Sequence, residues 1–274
     1  MSRDSALRIA AGMLIAVAAM SLLAPVIAPA SPIAVDMSLR NAPPSSAHWL
    51  GTDTLGRDVA SRVIYGGRGA LAISFGATLI SMVIGIALGS LAGWFGKFTD
   101  TAIQVFMSIF QGLPGLTISI AIVGVMGASN LSISVAMVAT GWSGISRVVR
   151  SQIRNLRNEQ FVEAAKVYLP APGYLIVRHL LPLTMPTLVV LATQRMGRMI
   201  LMIASLSFIG VGLQPPTPDW GVMIQDGRQY FAQQPWALLG PAVMLFIASF
   251  SVARLGELLR DRWDTFSDDA MAVR

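Results

Sequence analysis

The chain has 274 residues, of which 54% are hydrophobic and 12% charged, and its mean hydropathy is +0.64. Charged residues make up about a quarter of a soluble domain, so this composition excludes a soluble globular protein and indicates a membrane-embedded one. The net charge of +6 sits at the ends of apolar runs, which argues against nucleic acid as a partner, and the absence of cysteine excludes disulfides, thiolate metal sites and thiol catalysis.

Six apolar segments are long enough to cross about 30 Å of hydrocarbon as helices. They fall near residues 6–27, 69–94, 102–127, 131–146, 182–211 and 237–255. The pattern predicts an all-α membrane protein with six transmembrane helices. The first segment starts with Arg3 and Arg8, as a signal peptide would, but its apolar run is longer than a signal core. It reads as a retained span. Residues 1–68 form this span and an external segment, and residues 69–274 form the core.

The external segment 29–68 contains Asp53, Arg57 and Asp58. Asp53 and Asp58 suit the cap of a short helix carrying Val59 and Val63, with Arg57 and Arg62 as ion-pair partners. These residues form either an external gate, a contact for a binding protein, or a structural cap; the cap is the simpler reading. Gly141-Trp142-Ser143-Gly144, in the fourth span, has the form of the serine motif of rhomboid proteases. Its serine has no base, because His48 and His179 both lie outside the spans. Close helix packing through small residues is the better account.

The polar interval 147–182 carries Arg147, Arg150, Arg154, Arg157, Lys166 and Arg178. Lys and Arg resist translocation, so a basic loop faces the cytoplasm. Thirteen basic residues lie on the side of this loop and the termini, against five on the other side. Both termini are therefore expected in the cytoplasm. Within the loop, Glu163 suits the early part of a short helix, where the macrodipole favours a carboxylate. Ala164 and Ala165 are small enough for close approach by a partner, or serve only helix propensity.

The fifth span contains Gln194, Arg195 and Arg198, with both arginines on one helical face. A charge at that depth must face protein or water. The pair reads as a positive wall of a translocation path, or as two structural ion pairs for which the other spans offer few acids. Beyond it, the stiff run Gln214-Pro215-Pro216-Thr217-Pro218 lies outside the hydrocarbon. With Asp219 and Trp220 it forms either the mouth of the path or an interfacial anchor.

Four stretches in register carry a resemblance. They are His48-Trp49-Leu50-Gly51-Thr52-Asp53-Thr54-Leu55-Gly56-Arg57-Asp58; Ala92-Gly93-Trp94-Phe95-Gly96; Glu163-Ala164-Ala165 with Leu180-Leu181-Pro182; and the run from Ser205 to Gly221. Together they resemble the second permease of the dipeptide/oligopeptide/nickel ABC importers, over most of the chain. The Glu163 stretch is similar to that family's EAA motif. The resemblance implies a type I importer permease fold and a coupling loop in which Glu163, Ala164, Ala165, Pro170, Leu181 and Pro182 dock an ATP-hydrolysing subunit. It further implies a second, similar permease, two ATPase subunits that bind ATP and Mg, and an external substrate-binding protein. No cofactor or metal is expected in this subunit, and no enzyme activity. The family's usual glycine six residues after the Glu is Leu169 here, followed by Pro170, which can itself end a helix. Trp220-Gly221-Val222-Met223-Ile224 looks slightly closer to the nickel or metallophore branch, while the other motifs suit peptide permeases equally. A secondary transporter or channel without ATPases is the alternative.

Overall fold

The computed structural model describes residues 3–168 and 171–272. In chain order the helices are α1 (Arg3–Leu22), α2 (Ala24–Ile27), α3 (Val59–Phe95), α4 (Lys97–Gly112), α5 (Gly115–Met126), α6 (Asn130–Leu156), α7 (Gln160–Tyr168), α8 (Pro172–Leu175), α9 (Leu181–Ile209), α10 (Trp220–Gly227) and α11 (Pro235–Ala272). Among the described residues there is no strand, only an isolated antiparallel bridge between Thr52 and Asp58.

Helices α1, α3 and α11, and the run 172–209 that ends in α9, are long and apolar enough to cross a membrane. The other two expected spans differ from the sequence reading. The apolar run 102–127 is not one helix: α4 and α5 meet at a bend of 88°. Pro114 explains the break, because it donates no N–H and forces Leu113 into an extended conformation. The fourth span, expected at 131–146, is the first part of the 27-residue helix α6. Ser129 and Ser132 begin that helix with a reciprocal capping box. Hydropathy ends near Ser146, but the helix continues through Arg147, Arg150 and Arg154. By hydropathy α6 does not pass as a span, because its buried face presents Ser132, Ser143 and Ser146 to protein and not to lipid.

α3 is the spine. At 1.5 Å per residue it rises about 55 Å, well beyond the hydrocarbon. Asp58 caps it through Ser61 N–H at 2.7 Å. Its long contact with α6 depends on Gly85, Gly89 and Gly93, one glycine per turn. A Cβ on Gly85 would lie 2.7 Å from Ile145 Cβ, and one on Gly89 2.7 Å from Val149 Cβ. Close backbone approach of this kind stabilises helix pairs in lipid, where apolar burial alone gives little drive. Gly141 does the same from α6, pressed against Ser81 and Met199.

Two apolar clusters result. One is central, built from Ile73, Ala77, Ile133, Met137, Met199 and Ile203. The other, at the α7 end, gathers Trp94, Ile153, Val162, Leu175, Leu180 and Leu188. α1 packs on α11 through Ala6, Ala10 and Leu258.

Candidate coupling surface and translocation groove

α7 has two faces. Val162 is buried in the cluster around Trp94, and Ala165 packs half-buried on the same side. Phe161, Ala164 and Tyr168 recur at i, i+3 and i+7, which puts them on the opposite face. All three are exposed, Tyr168 by 84%. Of the two alanines singled out by the motif, Ala164 therefore points outward and Ala165 inward. Glu163 is exposed and accepts from Lys166 Nζ at 2.6 Å. Lys166 also lies 5.5 Å over the Trp94 ring and donates to the Arg157 carbonyl at 3.4 Å. Arg157 in turn donates to the Trp94 carbonyl. α7 is thereby tied to the ends of α3 and α6. Arg150 and Asp100 form a forked ion pair that ties α4 to α6 at the same end.

Downstream, Tyr174 and Val177 are exposed beside α7 in sequence, and Tyr174 packs against the His179 ring at 5.8 Å. Leu181 rests on the α7-end cluster and Pro182 is exposed in the first turn of α9. Pro170 lies outside the described residues.

At the opposite end the charged residues face inward. Arg57 Nε donates to Asp53 Oδ2 at 2.7 Å, and Arg62 Nε lies 3.5 Å from the same oxygen. Arg62, 1% exposed, also donates to the Pro32 carbonyl. Asp58 accepts from Ser61 N–H and pairs with His48 Nδ1 at 2.9 Å. Gly51 and Gly56 adopt positive φ with their backbones pressed on Ala42 and Asp36, where a side chain would collide. Asp219 caps α10 through Val222 N–H at 3.1 Å. Burial raises the Asp219 carboxyl above the ordinary carboxylate range, opposed by the Val222 N–H and the Ser207 hydroxyl. Burial raises Asp226 as well, opposed by Arg57 and Arg62.

Trp220 is buried, which removes the interfacial-anchor reading. Its indole N–H donates to the Val63 carbonyl at 2.9 Å. Its ring lies flush against Gly66 and Gly67, where a Cβ would come within 2.6 Å. Asp53, Arg57, Asp58, Asp219 and Trp220 thus fasten α10 and the 29–58 segment to the head of α3. Pro215 and Pro216 remain exposed.

The arginines of α9 fall in a third region. Arg195 donates to the Gly141 carbonyl on α6. Arg198 is exposed and donates only weakly, to the Gln194 carbonyl one turn back at 3.4 Å. Both line a groove of about 420 Å³ with Gln111, Thr140, Ser143 and Met202. Arg198 and Gln194 also line an open groove of about 740 Å³ between α9 and α11, beside Phe246, Phe250 and Glu257. A charged residue at a helix centre costs about 2.5–3.5 kcal/mol on insertion scales unless it faces water or protein. Sequence reasoning found the arginines but not the groove wall. Thr140 and Ser143 carry no motif of their own, although the glycines that flank Ser143 signal a close approach.

A helical bundle with an outward-facing short helix between two long spans is the architecture of an importer permease. The chain belongs to the family of binding-protein-dependent transport system inner membrane components, whose pattern matches residues 85–265. It is 35% identical over 246 residues to the dipeptide transport system permease protein DppC of Alkalihalophilus pseudofirmus, covering 89% of this chain and 80% of that one. To the nickel transport system permease protein NikC of Escherichia coli K12 it is 36% identical over 236 residues, covering 86% and 85%. To the glutathione transport system permease protein GsiD of Pectobacterium atrosepticum it is 35% identical over 229 residues, covering 84% and 76%. Its fold is similar to a chain of the inward-facing MetNI methionine ABC transporter, with a TM-score of 0.54 at 19% identity, over 72% of this chain and 95% of that one. The protein is a multi-pass inner-membrane component of an ABC importer and not an enzyme. Family membership sets aside a secondary transporter or channel.

Proposed function

We propose that this chain forms half of the translocation path of an importer for peptides or metal chelates, with a second, similar permease as the other half. Two ATPase subunits bind ATP and Mg and dock on α7. An external binding protein delivers substrate at the α10 end, meeting the exposed Pro215 and Pro216 supported by the Asp53–Arg57 and Asp219–Trp220 contacts. The observation that carries this reading is the outward face of α7. Phe161, Ala164 and Tyr168 form one exposed, uncharged face, and the buried Val162 on the other side anchors it. Lys166, Trp94 and Arg157 give α7 a route to α3, so closure of the ATPases moves the spine. Residues 1–68 act as a flanking helix and external cover, and residues 69–274 as the coupled core.

The α7 end is assigned to the cytoplasm, with both termini, on the distribution of Lys and Arg. The chain has no cysteine, so single probes are clean. Ser38→Cys should react with an impermeant maleimide in intact spheroplasts, and Asn158→Cys only after lysis. The reverse pattern would invert the topology.

The three relatives carry dipeptide, nickel and glutathione in their names at 35%, 36% and 35% identity, so identity does not choose among substrates. The functional test is reconstitution with the partner permease, ATPases and binding protein in nanodiscs. Loaded binding protein should stimulate ATP hydrolysis. An isolated chain that moves solute without ATPases would overturn the proposal.

A further inference from the structure

The groove between α4, α5, α6 and α9 is lined by groups that donate hydrogen bonds. Arg195 Nη2 packs closely over Gly144, 2.8 Å from where a Cβ would stand. One of its nitrogens is held by the Gly141 carbonyl; the rest of the fork borders the groove. Arg198 projects one turn further along with no hydrogen bond or ion pair outside its own helix among the described residues. Among those residues neither arginine has a carboxylate within 4.0 Å, although six other ion pairs are formed. The buried amide nitrogen of Gln111, on the same wall, also lacks a partner. Thr140 and Ser143 add hydroxyls, and no acid lines the groove.

We propose that this groove is an anion subsite of the translocation path, and that the transported substrate presents carboxylates to it, either as a peptide or as the carboxylates of a metal chelate. The proposal rests on the reading of the chain as a permease. Arg195 is fixed and gives the site its field. Arg198 is free to turn between the two grooves and follows the anion as it passes. Arginine keeps its charge at any physiological pH, so the site does not switch off with acidity. An apolar-walled cleft lined by one sign of charge raises the local concentration of the opposite ion by about tenfold or more.

The test uses the assembled transporter carrying Thr140→Cys as its single groove probe. Its rate of modification is measured with the anionic sulfonatoethyl methanethiosulfonate and with the cationic trimethylammonium reagent. The anionic reagent should be favoured by about tenfold or more over the ratio for free thiol. That preference should collapse in Arg195→Gln/Arg198→Gln. If the double variant fails to assemble, Arg198→Gln alone, which breaks no hydrogen bond or ion pair to another helix, should still lower the preference severalfold, and Arg195→Lys should retain it. Millimolar glycylglycine, but not its amide, should slow the reaction if the ligand is a peptide carboxylate; nickel citrate should slow it if the ligand is a chelate. No anion preference in a complex that still responds to its binding protein would overturn the subsite and leave the permease reading standing. Slowing by neither ligand would overturn the carboxylate assignment.

Discussion

The α10 end of the molecule turns its charged and aromatic motif residues inward, and the α7 end turns its own outward. Arg57 and Arg62 pair with Asp53 within the chain, Asp219 accepts from the Val222 N–H, and Trp220 is 1% exposed. Around α7 the reverse holds: Tyr168, Phe161 and Tyr174 are outward, and the Glu163–Lys166 pair lies at the surface. Both ends match family motifs equally well in sequence. Burial separates them: one motif closes a structure and the other presents a surface. A motif residue turned inward reports on the fold, and one turned outward is left available to a partner.

Breaking the closed end should give the largest effect on stability. Trp220→Ala leaves a void against Gly66 and Gly67 and an unpaired Val63 carbonyl; truncating a buried Trp costs about 3–5 kcal/mol. A large fall in the thermal midpoint of the detergent-solubilised complex is the expected readout, and an unchanged midpoint would mean the ring is not a keystone.

At the open end the expected pattern is the opposite. Ala164→Asp puts a charge on the outward face of α7, where surface substitutions change stability by no more than about 0.5 kcal/mol. The thermal midpoint of the isolated permease should hold, while stimulated ATP hydrolysis falls by about tenfold or more, equivalent to roughly 1.4 kcal/mol of lost docking. Ala165→Asp is a poorer probe, because Ala165 packs on the chain's own cluster and its effect mixes folding with docking.

A smaller effect is expected where the two behaviours meet. Lys166→Met removes the contact over Trp94 and the bond to the Arg157 carbonyl, with cation–π contacts worth about 0.5–1 kcal/mol at exposed sites. Assembly should persist while stimulation drops a fewfold, as α7 loses its grip on α3. Smallest of all, Glu163→Gln removes only an i,i+3 surface pair worth about 0.2–0.5 kcal/mol. Its stability change should be near the limit of measurement, so any large loss of activity would place Glu163 itself in the docking contact.

Much of this arrangement was legible in the sequence. Hydropathy located α1, α9 and α11, and the Lys and Arg distribution supplied an orientation. The bend at Pro114 was missed because an apolar run carries no sign of its own direction; the proline was the available signal. α6 was cut short for the same reason, since hydropathy falls at Arg147 while the helix continues. At the candidate sites the sequence supplied residue names but not their facing. Ala164 and Ala165 are indistinguishable as letters, and only Val162 in the core decides which of them is outward. Trp220 read equally as part of the path mouth or as an interfacial anchor, and only its seat on Gly66 and Gly67, far away in the chain, shows it buried. The small-residue spacing of Gly85, Gly89 and Gly93 was passed over in the sequence, although it marks the α3–α6 contact.

The contact between α7 and an ATPase subunit can be tested directly. A photo-reactive benzoylphenylalanine at Tyr168, the most exposed aromatic of α7 at 84%, should on illumination join the permease to the ATP-binding subunit in the assembled complex. The same residue at Ser38, on the other end, should not. Docking at α7 predicts one adduct of permease plus ATPase from Tyr168, weakened by Ala164→Asp. An assembled, ATP-hydrolysing complex in which Tyr168 yields no such adduct would contradict it.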